Sequence, residues 1–372
     1  MAILTDAQRA AGWKIVKLGD IAEIVMGTSP KGETVVDYPA GFPLLNGPSE
    51  FTDKYPQPVK WTEAGIRFSK PGDILFCVRA TLGKMNFSDR VYAIGRGLAA
   101  IRGESVESTL YIYYVFNAVM DEVISHANGT IYLSLTKSDI NNIFLPYPPE
   151  NELGRIVSIL GSLDDKIEAN NRIIQTINNL GDHLTKKYIE SASEVRKLFE
   201  IADVTMGQSP AGNYINIDGK GIPFFQGKKD FGYRYPVNRT YTDKPTRIAR
   251  SGDILFSVRA PVGSMNLVME ECCIGRGLSS IRSSVNQRAL LFYILKNSPY
   301  IWEVFEGEGT IFSSINKKDL SNLAIPYSNG ENSKSIGDVL EIIEIYIFSL
   351  VCQNISLAEL REELIEKLIV KR

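Results

Sequence analysis

The chain repeats itself once at a shift of 180 residues, and no other feature of the sequence constrains its fold as strongly. Five blocks return at that one shift: MGTSP (26–30) as MGQSP (206–210), PLLNG (43–47) as PFFQG (223–227), GDILFCVRATLGKMN (72–86) as GDILFSVRAPVGSMN (252–266), IGRGLAAIR (94–102) as IGRGLSSIR (274–282), and GTIYLSLTKSDINNIFLPYP (129–148) as GTIFSSINKKDLSNLAIPYS (309–328). Solenoid repeats have periods of about 20–50 residues. A repeat of this length therefore predicts two copies of a whole domain, each with an attached element.

Each copy changes character once along its length. Residues 13–149 and 197–330 are rich in Gly, Pro, Tyr and short β-forming runs, and GDILFCVRA predicts a turn that leads into a buried strand. Residues 151–192 and 331–372 have a helical pattern without Pro. The predicted organisation is a domain at 1–150, a helix at 151–195, a second domain at 196–330 and a second helix at 331–372.

Apolar residues in both helical segments follow alternate steps of three and four, as in the seam of a coiled coil. The predicted seam consists of Leu160, Leu163, Ile167, Asn170, Ile174, Ile177, Leu184, Leu340, Ile343, Ile347, Leu350, Asn354, Leu357 and Leu364. An antiparallel register that pairs Leu160 with Leu364 also pairs Asn170 with Asn354, and a buried Asn pair would fix that register at some cost in stability. The alternative is a long amphipathic helix that lies on its own domain.

The predicted fold class is therefore α+β. Two homologous α/β domains are joined by two long helices that form an antiparallel coiled coil, and the whole is pseudo-twofold symmetric. About 40 helical residues would make a rod of about 60 Å.

Opposite charges nearly cancel over the whole chain, so any nucleic-acid binding has to come from local patches. Lys and Arg number 41 against 43 Asp and Glu, but residues 200–330 contain 15 basic against 12 acidic residues. The four Cys and two His have no metal-ligand spacing, which argues against a zinc site. The N-terminus has no signal-peptide pattern, and the most apolar stretch, 340–352, is too short to span a bilayer. We expect a cytoplasmic protein with no cofactor in this chain.

Motifs of the common catalytic sites are missing from the sequence. There is no phosphate-binding loop, no Gly-x-Gly-x-x-Gly after a strand, and no Asx-Pro-Pro-aromatic motif of the DNA methyltransferases that methylate amino groups. Neither His126 nor His183 has a counterpart 180 residues away, which excludes a duplicated active site that depends on His. The chain is predicted not to be an enzyme on its own.

Basic and polar side chains recur at equivalent positions of the two domains, which favours recognition over catalysis. The candidate DNA-binding residues are Ser29, Lys31, Asn46, Arg79, Lys84, Arg96, Ser134 and Lys137 in the first domain, and Ser209, Gln226, Lys228, Lys229, Arg234, Arg259, Arg276, Ser314 and Lys317 in the second. Internal salt bridges are the alternative for each repeated Arg. That alternative is favoured for Arg102 and Arg282, whereas the two interpretations are equal for Arg79 and Arg259.

Two loops between the shared blocks differ in chemistry. Residues 46–60 read NGPSEFTDKYPQPVK, and residues 226–240 read QGKKDFGYRYPVNRT. Asn and Gln pair with adenine and Arg or Lys with guanine, so one framework that carries two sets of side chains would recognise two short sequences. An ordinary variable surface loop is the alternative.

Several of these blocks together resemble the specificity subunit of type I restriction–modification enzymes. The resemblance rests on KLGDI (17–21), Gly27-x-Ser29-Pro30, the GDILF-x-VRA-x-x-G block, and LPYPPE (145–150) followed by LDDKIE (163–168). It extends over essentially the whole chain. The second helix lacks an Asp-Lys-Ile-Glu run, and the second copy lacks Pro-Pro-Glu.

The resemblance implies two target-recognition domains, each specific for one half of a split DNA sequence, and helices that set the spacer between the halves. It also implies two methyltransferase subunits that bind S-adenosylmethionine, and nuclease subunits that use ATP and Mg²⁺. A coiled-coil scaffold that binds protein or glycan is the competing interpretation. A self-sufficient methyltransferase is a third one, and the missing motifs argue against it.

Overall fold

The computed structural model describes residues 4–79, 81–126, 134–305, 314–328 and 330–370, without the side chains of 120–126. The chain divides into two compact units. The first unit comprises residues 1–169 and 354–372, and the second comprises residues 170–353. Each unit therefore contains one globular domain and a part of both long helices.

The first domain is built on two four-stranded sheets and a two-stranded one. The sheets have the strand orders β2-β9-β6-β7, β3-β5-β4-β8 and β1-β10. The strands are β1 Lys14–Lys17, β2 Ala22–Met26, β3 Val35–Val36, β4 Phe42–Leu45, β5 Lys60–Thr62, β6 Ile74–Cys77, β7 Met85–Phe87, β8 Ala93–Ile94, β9 Leu98–Gly103 and β10 Phe144–Tyr147, and the helices are α1 Asp6–Ala10, α2 Leu18–Ile21, α3 Val106–His126, α4 Lys137–Asn141 and α5 Glu150–Ser191.

The second domain repeats this plan. Its sheets have the strand orders β12-β20-β17-β18, β13-β15-β14-β19-β16 and β11-β21. The strands are β11 Val195–Lys197, β12 Ala202–Met206, β13 Ile215–Asn216, β14 Ile222–Phe225, β15 Tyr241–Thr242, β16 Ile248–Ala249, β17 Ile254–Ser257, β18 Met265–Leu267, β19 Cys272–Ile274, β20 Leu278–Ser283 and β21 Ala324–Pro326, and the helices are α6 Leu198–Ile201, α7 Arg288–Asn297, α8 Lys317–Ser321 and α9 Glu331–Ile365.

The shared GDILF block forms the strand on which each domain is built. All four residues of β6 are buried, and their side chains alternate between two hydrophobic clusters. Ile74 and Phe76 pack with α3 and α5, whereas Leu75 and Cys77 pack with Leu45 and Ile94 of the other sheet. A strand covered on both faces must be apolar throughout, which explains the uninterrupted apolar run. The predicted turn and buried strand are confirmed.

The long helices are α5 and α9, and α9 continues as a π-helical turn over Glu366–Val370. In the second unit they run antiparallel, because Asn170 lies beside Gln353 near one end and Tyr188 lies beside Ser333 near the other. In the first unit Asp164 of α5 accepts a hydrogen bond from Arg361 of α9 at 2.6 Å. The predicted architecture of two homologous α/β domains with long antiparallel helices is confirmed.

None of the predicted seam residues is exposed. Leu160, Ile174, Leu340, Ile347 and the side chain of Asn170 lie among the buried residues. The seam shifts near the end of α9, where Ile365 and Ile369 are buried one position beyond the predicted steps. The pairing of Asn170 with Asn354 would join residues of different units, and it stays a prediction.

Candidate nucleic-acid interface

The IGRG motif brings an arginine beside the end of β4 in the first unit. Gly95 N–H donates to the Leu45 carbonyl at 2.8 Å. A Cβ at Gly95 would lie 2.3 Å from Asn46 Oδ1, and a Cβ at Gly97 would lie 2.2 Å from the Asn46 carbonyl oxygen. Glycine is required at position 97 because the two backbones approach so closely there, whereas a side chain at position 95 would displace the Asn46 amide. Arg96 is thereby held beside Asn46, and both side chains are exposed.

Arg79 lies at the next edge of the same surface. Val78 N–H donates to the Gly97 carbonyl at 2.9 Å, and Leu135 N–H donates to the Val78 carbonyl at 3.0 Å. Arg79 also forms an antiparallel bridge with Ser134. Four short segments therefore lie side by side, and they place Asn46, Arg96, Arg79 and Ser134 on one exposed band.

The second unit repeats this band with the same backbone contacts. Gly275 N–H donates to the Phe225 carbonyl at 2.8 Å, and Val258 N–H donates to the Gly277 carbonyl at 3.0 Å. Arg259 bridges Ser314. A cavity of about 640 Å³ in this band is lined by five of the predicted residues, namely Gln226, Lys228, Lys229, Arg259 and Arg276.

A buried carboxylate shapes the lysine turn of the second band. Lys228–Asp230 form a 3-10 turn, and Asp230 accepts the N–H groups of Gln226 and Gly227 at 2.6 and 3.2 Å. Asp230 is 5% exposed, whereas both lysines are exposed. In the first unit the same turn is Pro48–Glu50, with Pro48 and Ser49 in place of the lysines. The second band is the more basic of the two.

The other predicted residues surround the bands or support them. Ser29 and Ser209 are half-buried, and each accepts the backbone N–H of the band arginine, Arg96 at 3.2 Å and Arg276 at 3.3 Å. Lys137 and Lys317 open α4 and α8, three residues after the band serines. Lys84 lies opposite Cys77 in the hairpin of β6 and β7. Lys31, Lys84, Lys137 and Lys317 are exposed.

Arg234 is not a surface residue, so the prediction that it contacts DNA is wrong. Its side chain is 5% exposed and forms an ion pair with Glu344, whose side chain is 4% exposed. It also donates to Asn178 Oδ1 at 3.0 Å and to Tyr293 O–H at 2.9 Å. The guanidinium lies 4.4 Å from the Phe292 ring centroid, a cation–π distance. Sequence letters alone do not show that this basic residue points inward.

Arg102 and Arg282 form the predicted internal salt bridges. Arg102 donates to both carboxylate oxygens of Asp73, at 2.6 and 2.7 Å, and Arg282 does the same to Asp253 at 2.7 Å. The hydrogen bond to Asp73 raises the pKa of the Arg102 guanidinium. These arginines brace the Gly-Asp turn before the buried strand.

Sequence reasoning missed several residues of the second band. Ser257, Ala260 and Pro261 also line its cavity. Arg239 is exposed and donates to the Lys229 carbonyl at 2.7 Å. Ala260 and Pro261 belong to the shared VRA-x-x-G motif, and Ser257 directly precedes it. Arg239 lies in the basic second loop, so both sequence features could have identified these residues.

No group of three or more His, Cys, Asp or Glu side chains in the described part of the chain is arranged to hold a metal ion. Burial raises the pKa of the Cys77 and Cys272 thiols to about 12, so both stay protonated at neutral pH. His183 is exposed, and the side chain of His126 lies outside the described residues. None of the helices in the described ranges is long and apolar enough to cross a membrane.

Comparison with known families assigns the duplicated domains. Residues 11–179 and 190–354 each match the Methylase_S family, which is described as the type I restriction modification DNA specificity domain. The two matches together cover most of the chain. The chain belongs to the type I specificity family.

Two curated relatives of this chain come from Methanocaldococcus jannaschii. A protein named as the MjaX specificity subunit of a type I restriction enzyme is 33% identical over 233 residues, which are 57% of this chain and 55% of that relative. The match therefore spans about half the length of that protein. The MjaIX specificity subunit is 22% identical over 362 residues, covering 83% of this chain and 82% of the relative.

A solved structure supports the fold of this chain over its full length. The S subunit of a type I restriction–modification system from M. genitalium has a TM-score of 0.63 and 15% identity, with 100% of both chains covered. At this identity the likeness bears on the fold alone.

Proposed function

We propose that the chain is the specificity subunit of a type I restriction–modification complex and recognises a bipartite DNA target, with one domain for each half-site. The observation that carries the proposal is the band that occurs in both units on the same backbone framework. Arg79, Arg96 and Ser134 match Arg259, Arg276 and Ser314, whereas the neighbouring loops differ. Two domains that share one backbone framework but differ in loop sequence are suited to binding two different half-sites.

The side chains of the bands have the chemistry of DNA recognition. Arg hydrogen-bonds guanine through two atoms, and Asn or Gln does so with adenine. Lys228 and Lys229 are suited to phosphate contacts, which bring affinity and orientation. Asn46 in one band and Gln226 in the other differ by one methylene, so they would reach to different depths from equivalent positions.

The helices are proposed to set the spacer and to bind two methyltransferase subunits. Helix α9 exposes Val339, Ile342, Ile345 and Tyr346, and Ile342 is 67% exposed. An exposed apolar face on a helix is typical of a protein interface. The equivalent positions of α5 are Ile159, Ser162, Asp165 and Lys166, so that face is mostly polar and the two subunits would meet different chemistry.

Catalysis is proposed to reside in the partner subunits. The methyltransferase subunits would bind S-adenosylmethionine, and nuclease subunits would use ATP and Mg²⁺. The chain itself is proposed to need no cofactor. This division agrees with the missing catalytic motifs and with the roles named for its relatives.

The test is methylation-sensitive long-read sequencing of the host genome with the gene intact, deleted, or carrying Arg259→Ala. We expect a split motif that is methylated only with the intact gene, because losing one half-site abolishes bipartite recognition. Arg196→Ala is the matched control, since Arg196 lies in β11 and pairs with Glu194 at 3.1 Å. This control should leave methylation unchanged.

Binding at several salt concentrations separates this function from a protein or glycan scaffold. DNA affinity of the assembled complex should fall steeply as salt rises, because bound phosphates release counterions. Methylation that is independent of the gene, together with no salt-dependent DNA binding, would contradict the proposal.

A further inference from the structure

Each recognition loop is fixed to a helix of its own unit by a basic residue at the same repeat position. The first recognition loop is residues 46–60, and the second is residues 226–240. Lys54 of the first forms an ion pair with Glu168 of α5, and Arg234 of the second forms one with Glu344 of α9. Lys54 and Arg234 are related by the repeat, and each pairs with a glutamate of the equivalent helix, although Glu168 lies one helical turn beyond the counterpart of Glu344.

The backbone around both residues is fixed in the same way. Phe87 N–H donates to the Lys54 carbonyl at 2.8 Å, and Leu267 N–H donates to the Arg234 carbonyl at 2.9 Å. Two residues earlier, Asn86 bonds both backbone groups of Thr52, and Asn266 does so with Gly232. The loop is thus joined to the domain by its backbone and to the helix by side chains, which in the second unit include Tyr235, whose ring lies edge-on to Phe348 of α9 at 5.7 Å between centroids.

The contact in the second unit reaches both long helices and α7. Arg234 bonds Glu344 of α9, Asn178 of α5 and Tyr293 of α7. Lys296 of α7 joins the same group through Asn178 and Asp182, at 2.9 and 2.8 Å. The three partners of Arg234 hold the loop in one position relative to the helices.

The contact in the first unit is more open. The Lys54 and Glu168 side chains are 37% and 25% exposed. Burial lowers the pKa of Lys54, but the interactions with Glu168 and Tyr55 together outweigh burial and raise the pKa, so the amine is charged at neutral pH. A cavity of about 700 Å³ borders Lys54, whereas the cavity at the equivalent place beside Arg288 and Glu344 is about 140 Å³.

A buried ion pair contributes little net stability, because the cost of removing two charges from water offsets their attraction. Its geometry is demanding, since a shifted partner leaves a charge buried without its counter-ion. The Arg234–Glu344 pair is therefore better suited to fixing a position than to stabilising the fold.

We propose that Arg234 and Lys54 are positioning residues that lock each recognition loop on its helix, so that the loop adds to the precision with which spacer length is selected. This inference rests on the proposed function, in which the helices set the spacer. One base pair corresponds to roughly 3.4 Å along DNA, so a loop that moves by that distance accepts a neighbouring spacer.

The test uses the chain assembled with its methyltransferase subunits and a DNA library in which only the spacer length varies. Arg234→Met with Glu344→Leu removes both charges with side chains of similar length, an exchange that commonly preserves stability. We expect an unchanged thermal midpoint and unchanged half-sites. Discrimination against spacers one base pair too long or too short should fall at least tenfold.

Arg288→Met with Glu341→Leu is the matched control. This pair also joins α7 to α9, at 2.8 Å, and its hydrogen bonds run between these two helices. It should leave spacer discrimination unchanged. Lys54→Met with Glu168→Leu is the second test, on a half-exposed pair that the fold tolerates more easily, and we expect a smaller loss of discrimination there.

Three results distinguish the inference from the function on which it rests. Unchanged discrimination in both double variants would overturn the inference, and so would uniform loss of methylation at every spacer in a folded complex, which would indicate a direct DNA contact. If the unaltered complex methylates no split site, the proposed function fails instead.

Discussion

Arg282 and Arg259 both have a counterpart 180 residues earlier in the sequence, but their environments differ. A buried carboxylate beside the first gives it a structural role. Asp253 is 2% exposed, and it accepts hydrogen bonds from Arg282, the Arg250 N–H and Ser280 Oγ. Arg259 is exposed at the band edge. An Arg beside a buried carboxylate serves the fold, whereas an exposed Arg on a flat edge is available to a ligand.

Replacing the buried carboxylate tests this distinction. Asp253→Ala should lower the free energy of unfolding by about 2 kcal/mol, because it leaves the Arg250 N–H and the buried Ser280 hydroxyl without their acceptor. Thermal unfolding measures the effect. Asp218→Ala is the control, since Asp218 lies 4.0 Å from Lys220 and both are largely exposed, and an exposed pair contributes below about 1 kcal/mol. Equal effects of the two substitutions would contradict the assignment.

The lysines of the second band should contribute affinity rather than sequence choice. Each phosphate contact contributes about 0.9 to the slope of log affinity against log salt, so Lys228→Ala with Lys229→Ala should reduce the slope by about 1.8. Titration of half-site DNA with the assembled complex measures it. Lys367→Ala is the control, because Lys367 pairs with Glu363 of α9 and belongs to neither band. An unchanged slope in the double variant would place the phosphates elsewhere.

At the level of elements, the two long helices were predictable from their periodic sequence, whereas the change of helical geometry at the end of α9 was not. Steps of three and four identified both helices, and their starts at Glu150 and Glu331 lie within one residue of the prediction. The π-helical turn at Glu366–Val370 moves Ile365 and Ile369 into the core, where the steps had placed Leu364. A periodic pattern assumes one helical geometry, so it misses a change in that geometry.

Insertion of one heptad in each long helix tests the proposed role of these elements. Seven residues after Ala169 and seven after Gln353 preserve the face that each helix presents. Methylation sequencing should show the same two half-sites with a longer spacer. A heptad in α5 alone is the control, and it should abolish activity because the paired helices no longer match. An unchanged spacer in the double insertion would refute the proposal that the long helices set the spacer length.

At the level of the whole molecule, the repeat predicted more than any single motif. It gave two domains of one fold, and the structure shows equivalent sheets and equivalent bands in both. It did not show which basic residues turn inward, because the ionic partner of Arg234 lies 110 residues further along the chain. Burial of a side chain depends on tertiary contacts at that distance, and a linear pattern does not contain them.

The repeat also predicts that the two domains are exchangeable. Residues 198–327 can replace residues 18–147 without a change in length, and the junctions then fall in the paired strands β1 and β10. In the exchanged domain Arg234 would lie opposite Asp164, the α5 counterpart of Glu344. We expect this chimera to fold and to select a target that contains the second half-site twice.

Methylation sequencing of cells that express the chimera with its methyltransferase partners gives the result directly. The reciprocal exchange, with residues 18–147 in place of 198–327, is the matched control and should give the first half-site twice. Each half-site sequence should be identical to the corresponding one in the parental target, because the exchanged segment carries both the band and its recognition loop. If either chimera retained the parental pair of half-sites, recognition would have to reside in the helices, and the assignment of one domain to each half-site would be wrong.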